Sequence, residues 1–105
     1  MLASSRQIHN LDDLRKFVNE TLCHYEQLEI GAFPITERIL IRGQRPCGIF
    51  FCIHGPRSVK VTAIWETDRN TILFYGSSGE RFHRTRLIAA PRLSSAPEAN
   101  LQPAR

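Results

Sequence analysis

The stretch Cys47-Gly48-Ile49-Phe50-Phe51-Cys52-Ile53-His54 decides how this chain is read. Taken two by two it is apolar on both faces, with Cys47, Ile49, Phe51 and Ile53 on one and Phe50 and Cys52 on the other. A half-buried antiparallel strand alternates apolar and polar residues. This stretch does not, which predicts the central strand of a small sheet, covered on both sides. A buried helix gives the same short apolar run, but Arg45-Pro46 before it and Gly55-Pro56 after it hold this one to strand length.

Toward the N-terminus the period changes. Leu11, Leu14, Phe17, Val18, Leu22, Tyr25 and Leu28 recur at steps of three and four, the pattern of one amphipathic helix over residues 11–29. Asn10 is its expected N-cap, and Asp12 and Asp13 in the first turn favour the positive end of the helix dipole. Gly31 is the expected stop, with Pro34 blocking any continuation.

On either side of the central strand the period is 2. Residues 36–42 alternate, and Gly43-Gln44-Arg45-Pro46 turns into the central strand. Residues 58–66 set Val59, Val61, Ala63 and Trp65 against Lys60, Thr62, Ile64 and Glu66. Thr67-Asp68-Arg69-Asn70 reads as a tight hairpin turn, with Asn70 able to take the left-handed conformation. A fourth strand over 71–75, the turn Gly76-Ser77-Ser78-Gly79 and a polar, edge-like fifth strand over 80–87 complete the series. The expected fold is α+β: one N-terminal amphipathic helix packed on a five-stranded antiparallel meander sheet. It would occupy residues 10–90, with 1–9 a flexible arm and 91–105 a disordered tail rich in Pro, Ala and Ser.

Composition narrows the class without naming a chemistry. The chain has 105 residues, enough for one core, and its 42% apolar and 23% charged residues are ordinary for a soluble domain. No apolar window reaches membrane-spanning length, and Met1-Leu2-Ala3-Ser4-Ser5-Arg6 lacks the apolar core of a secretory signal. A cytoplasmic protein with no membrane partner is therefore expected. Three cysteines, an odd number, match no disulfide framework. The net charge of +4 is unevenly spread: residues 1–30 carry three basic residues against five acidic, the remainder eleven against five. Twelve of the fourteen basic residues are Arg, whose planar fork matches phosphate and carboxylate.

Two surfaces follow from the topology. A meander sends alternate turns to opposite ends, so His54, Arg57, Ser77, Ser78 and Arg81 should share one end, where the amides of a Gly-flanked turn can form an anion-binding nest. The same turn composition arises for purely conformational reasons. The second surface is the sheet face that a single helix leaves uncovered, expected to hold Leu40, Phe50, Ile64 and Phe74 as a face for a protein partner or self-association. Arginines on the strands beside aromatic residues also suit RNA or another single strand.

Catalysis and metal binding have weaker signals. Cys52 and His54 share a strand face, as a small enzyme or metal protein would need, but no Cys-x-x-Cys pair or nearby carboxylate accompanies them. No Walker loop or dinucleotide fingerprint is present. The expectation is a small non-catalytic binding module without cofactor or metal, using an apolar sheet face for protein contact and an Arg-rich loop end for an anionic ligand or nucleic acid.

Overall fold

The structure, a computed structural model, describes residues 2–89 and 91. Helix α1 (Leu11–Glu26) begins as its sequence predicts. Asn10 is extended and its Oδ1 accepts the Asp13 N–H at 2.8 Å. Its end comes earlier than the apolar spacing suggests. Gln27 takes the left-handed conformation at φ 57°, its N–H donates to the His24 carbonyl, and the Leu28 N–H donates to the Cys23 carbonyl at 2.8 Å. Leu28 then packs on the core. Two bonds reaching back plus an apolar contact make a full stop without glycine, and Gly31 lies in the turn beyond.

Strands β2 (Ile35–Arg42), β3 (Arg45–His54), β4 (Lys60–Glu66), β5 (Thr71–Tyr75) and β6 (Arg81–Leu87) form the antiparallel meander. The expected five-stranded sheet gains a sixth strand. β1 (Leu2–Arg6), in the segment read from sequence as a loose arm, pairs parallel with β6, giving the mixed order β1-β6-β5-β4-β3-β2. Its tether is polar. Thr85 is fully buried on β6, and Ser4 Oγ lies 2.9 Å from its hydroxyl and 3.0 Å from His83 Nε2. A buried hydroxyl without a partner is destabilising, so pairing β1 satisfies it. Ile8, only 2% exposed, then anchors the chain in the core. Of the stretch 91–105 only Pro91 lies within the described residues, and it is buried.

The core lies on one face of the sheet. Leu14, Val18, Leu22 and Cys23 of α1 pack against Ile49, Phe51, Ile53, Val61, Ala63, Trp65, Ile72 and Phe74. The Cys47–His54 stretch, expected as the central strand, is interior but not central: β3 lies fifth of six, between β4 and the edge strand β2, and the helix covers its Ile49–Phe51–Ile53 side. Among the described residues no helix is long and apolar enough to cross a membrane.

Asn70 joins three parts of this architecture. It takes the left-handed conformation (φ 49°) expected of the β4–β5 turn. Its Oδ1 accepts the indole N–H of the buried Trp65 at 3.2 Å, and its Nδ2 donates to the Leu87 carbonyl at 3.0 Å. Asn70→Gly keeps the backbone freedom and loses only the amide, whereas Asn70→Ala loses both. Guanidinium denaturation should therefore show Asn70→Ala destabilised by about 2–3 kcal/mol and Asn70→Gly by less. Equal losses would show that the left-handed backbone contributes nothing.

Candidate functional site

The pairing register fixes which residues share the face turned away from α1, open among the described residues. Across the middle run Arg38, Phe50, Ile64, Leu73 and Arg84; on one side lie Leu40, Gly48, Glu66, Thr71 and Arg86. On the other side run Thr36, Cys52, Thr62, Tyr75 and Arg81. Gly48 stands in this array because a Cβ there would collide with the Trp65 carbonyl. The face thus has an aliphatic and aromatic centre with arginines at both flanks.

Of the four residues expected on this face, Leu40, Phe50 and Ile64 are there. Phe74 is not. The Thr67–Asn70 turn pairs Glu66 with Thr71, so Phe74 falls opposite Ala63 on the helix side, where it is fully buried. Leu73 and Tyr75 take its place on the open face. Phe74 instead meets Phe17 of α1 edge-on, ring centroids 5.9 Å apart.

Each aromatic of the open face has a guanidinium over it. Arg38 lies 5.8 Å from the Phe50 centroid and Arg81 lies 5.9 Å from that of Tyr75. Two concavities are cut into the same face. One, of about 720 Å³, is lined by Ser5, Leu73, Arg81, Arg84 and Arg86 among others; the second, of about 480 Å³, by Leu40, Arg42, Ile64 and Glu66 among others. Arg38, Arg42, Lys60, Arg69, Arg81, Arg84 and Arg86 are all exposed. Among the described residues one ion pair touches this set, Arg42 with Asp68 at 3.6 Å, and both its side chains are largely in water, where such pairs hold weakly. The opposite side of the molecule presents Asp12, Asp13 and Glu20 on α1.

The loop end is built differently from the expectation. His54 ends β3 and Arg57 follows it, Ser77 and Ser78 follow β5 and Arg81 opens β6, and the register places both links at one end of the sheet. The Gly76–Gly79 turn does form a nest of amides, but its anions belong to the chain. The Ser77 N–H donates to Glu26 Oε2 and the Ser78 N–H to Glu80 Oε1, each at 3.1 Å. Tyr25 Oη donates to Glu80 Oε2 at 2.8 Å while its ring stacks on Phe82, 3.6 Å between centroids. The other members have turned elsewhere. Arg81 covers Tyr75, His54 Nε2 lies 3.0 Å from Thr36 Oγ1, and Arg57 is exposed in a left-handed turn (φ 56°). Amides already satisfied by two carboxylates offer little to an external anion.

Cys52 and His54 stay on the open face of β3, with the His54 ring engaged by Thr36. Burial pushes the Cys52 thiol up, against a smaller opposite pull from Lys60, and burial likewise raises Cys23. A raised thiol is a weaker nucleophile precursor at neutral pH. Among the described residues no three His, Cys, Asp or Glu side chains gather as metal ligands.

The carboxylate-filled turn has a pH signature. The backbone N–H of Glu80 itself, the Tyr25 hydroxyl and the Ser78 N–H hold the Glu80 carboxyl below its ordinary value, and the Tyr25 hydroxyl is raised by donating to it. A carboxyl lowered in the folded state stabilises the fold above its unfolded value, and that stability is lost as pH falls through the folded value. The Ser78 amide resonance should therefore titrate with a midpoint below that of an unperturbed glutamate, and Glu80→Gln should abolish the step. A midpoint at or above the ordinary value would show that the turn does not hold this carboxylate. No protein-family model matches the chain, and neither does any curated protein or solved structure.

Proposed function

We propose that this protein is a non-catalytic binding module whose uncovered sheet face takes single-stranded nucleic acid. The observation that carries this reading is the placement of Phe50 and Tyr75 on the same face as Arg38, Arg81, Arg84 and Arg86, in adjacent register rows. Single strands are held by aromatic faces that stack bases and by basic groups that follow the phosphates. A base on the Phe50 or Tyr75 ring takes the place of the guanidinium now above it, and that guanidinium turns to a phosphate. Arg84 and Arg86, two apart on β6, line the larger concavity and supply further phosphate contacts. The acidic side of α1 faces away and orients the approach.

A second reading has its own support. Leu40, Ile64 and Leu73 at the centre of the face stack no base and suit a protein surface, and the arginine rim then requires that surface to be acidic. The two readings separate in one titration. Fluorescence anisotropy with a labelled oligouridine should show binding at low salt, weaker binding to duplex DNA, and a log–log salt slope of about −3 for four or five phosphate contacts. Phe50→Ala and Tyr75→Ala should each weaken binding by about 1–3 kcal/mol with the fold intact by circular dichroism. Arg84→Gln with Arg86→Gln should flatten the salt slope. Absence of binding at low salt, or aromatic variants that bind as wild type, would refute the nucleic-acid reading and leave the acidic protein.

A further inference from the structure

The sheet has a second unpartnered feature, separate from its open face. Among the described residues β2 is the last strand of the order, eight residues long, with a neighbour on one side. The His54 N–H donates to the Pro34 carbonyl, which makes Pro34 and His54 a hydrogen-bonded pair. By the alternation of an antiparallel ladder, Thr36 and Arg38 then also direct their backbone groups to β3, while Glu37 and Ile39 direct theirs outward. The bulge between these strands skips Cys47, so its extra residue is on β3 and β2 itself runs regularly.

The flank of this edge is apolar. Ile35, Ile39 and Ile41 lie on the helix side but are 36%, 52% and 64% exposed, beside Ile30 at 57%. α1 sits mainly over β3 and β4, and the Arg15–Glu37 ion pair ties it to β2. Edges are protected by proline, by bulges and by charges, inward-pointing ones among them. Residues 35–42 contain no proline and no bulge of their own, and their inward charge, Glu37, is held by Arg15, which leaves Ile39 and Ile41 beyond it without a guard.

We propose that β2 pairs antiparallel with β2 of a second copy, about a two-fold axis perpendicular to the sheet at Ile39. Such an axis sets residues of the same face opposite one another, so it passes through a residue and the possible registers are few. An axis at Glu37 or Arg38 sets that charge against itself. An axis at Leu40 opposes Arg38 to Arg42 twice. With the axis at Ile39, Ile39 meets Ile39, Glu37 meets the second copy's Ile41, Arg38 its Leu40 and Thr36 its Arg42, and no like charges are directly opposed. The Ile39 N–H and C=O, both outward, close the central hydrogen-bonded pair. The dimer forms one continuous twelve-stranded sheet with both open faces on the same side. It stands whether or not that face binds nucleic acid.

Sedimentation equilibrium of the full chain from low micromolar to hundreds of micromolar should give a mass rising to twice 12.0 kDa and no further. Amide hydrogen exchange at Glu37 and Ile39 should slow over the same concentration range. Ile39→Lys sets two ammonium groups together at the axis and should weaken association by about a hundredfold or more. Ile88→Lys removes a comparably exposed side chain (71%) beyond β6 and should leave it unchanged. A wild-type chain that stays monomeric, a mass beyond the dimer, or a folded Ile39→Lys that dimerises as wild type each overturns the proposal. If Ile39→Lys does not fold, exchange in the wild type decides: Glu37 and Ile39 amides that exchange freely at high concentration refute it.

Discussion

One sixteen-residue helix has to serve a six-stranded sheet. Such a helix is about 24 Å long and about 10 Å wide, while six strands at roughly 4.8 Å spacing are about 24 Å across before the second face is counted. The shortfall shapes everything else. The helix covers the side holding Phe51, Trp65 and Phe74, stops short of Ile39 and Ile41 on β2, and among the described residues no other layer lies over the opposite face. The apolar residues of that face are half-buried by one another and by the alkyl stems of arginines, a use to which long basic side chains are well suited.

Much of the fold was legible because its signals are local. Asn10 caps α1, Asn70 takes its turn, and the period-2 strands fall close to where alternation puts them. β1 was not legible: Leu2-Ala3-Ser4-Ser5-Arg6 has neither alternation nor β-branched residues, and what holds it is a hydroxyl buried about eighty positions away. The helix end was misplaced because Leu28 keeps the helical apolar spacing after the helix has stopped. It reaches the core from the cap instead.

The site was legible in part for a related reason. Leu40, Phe50 and Ile64 follow from parity within strands, but Phe74 and Tyr75 change places with a single residue of register, which the turn sets and the alternation does not. Turn composition pointed to free amides at Ser77 and Ser78, and both amides donate to carboxylates of the chain itself. Those partners could not be found the same way, because Glu26 lies on the helix and approaches only in three dimensions. Charge asymmetry along the chain becomes an asymmetry between two sides of the molecule, with the strand arginines on one and Asp12, Asp13 and Glu20 on the other.

The parallel pairing of β1 with β6 carries a consequence for how the chain assembles. β2 to β6 are linked by short turns, and each can zip onto its neighbour as soon as it is made. β1 must wait, because Ser4 pairs with Thr85 and the loop to be closed spans nearly the whole domain. The entropy of closing so long a loop opposes that contact until the meander exists to receive it. During synthesis from the N-terminus the first strand made is thus the last to find its place, and until then β6 is a bare edge with the Thr85 hydroxyl unmet.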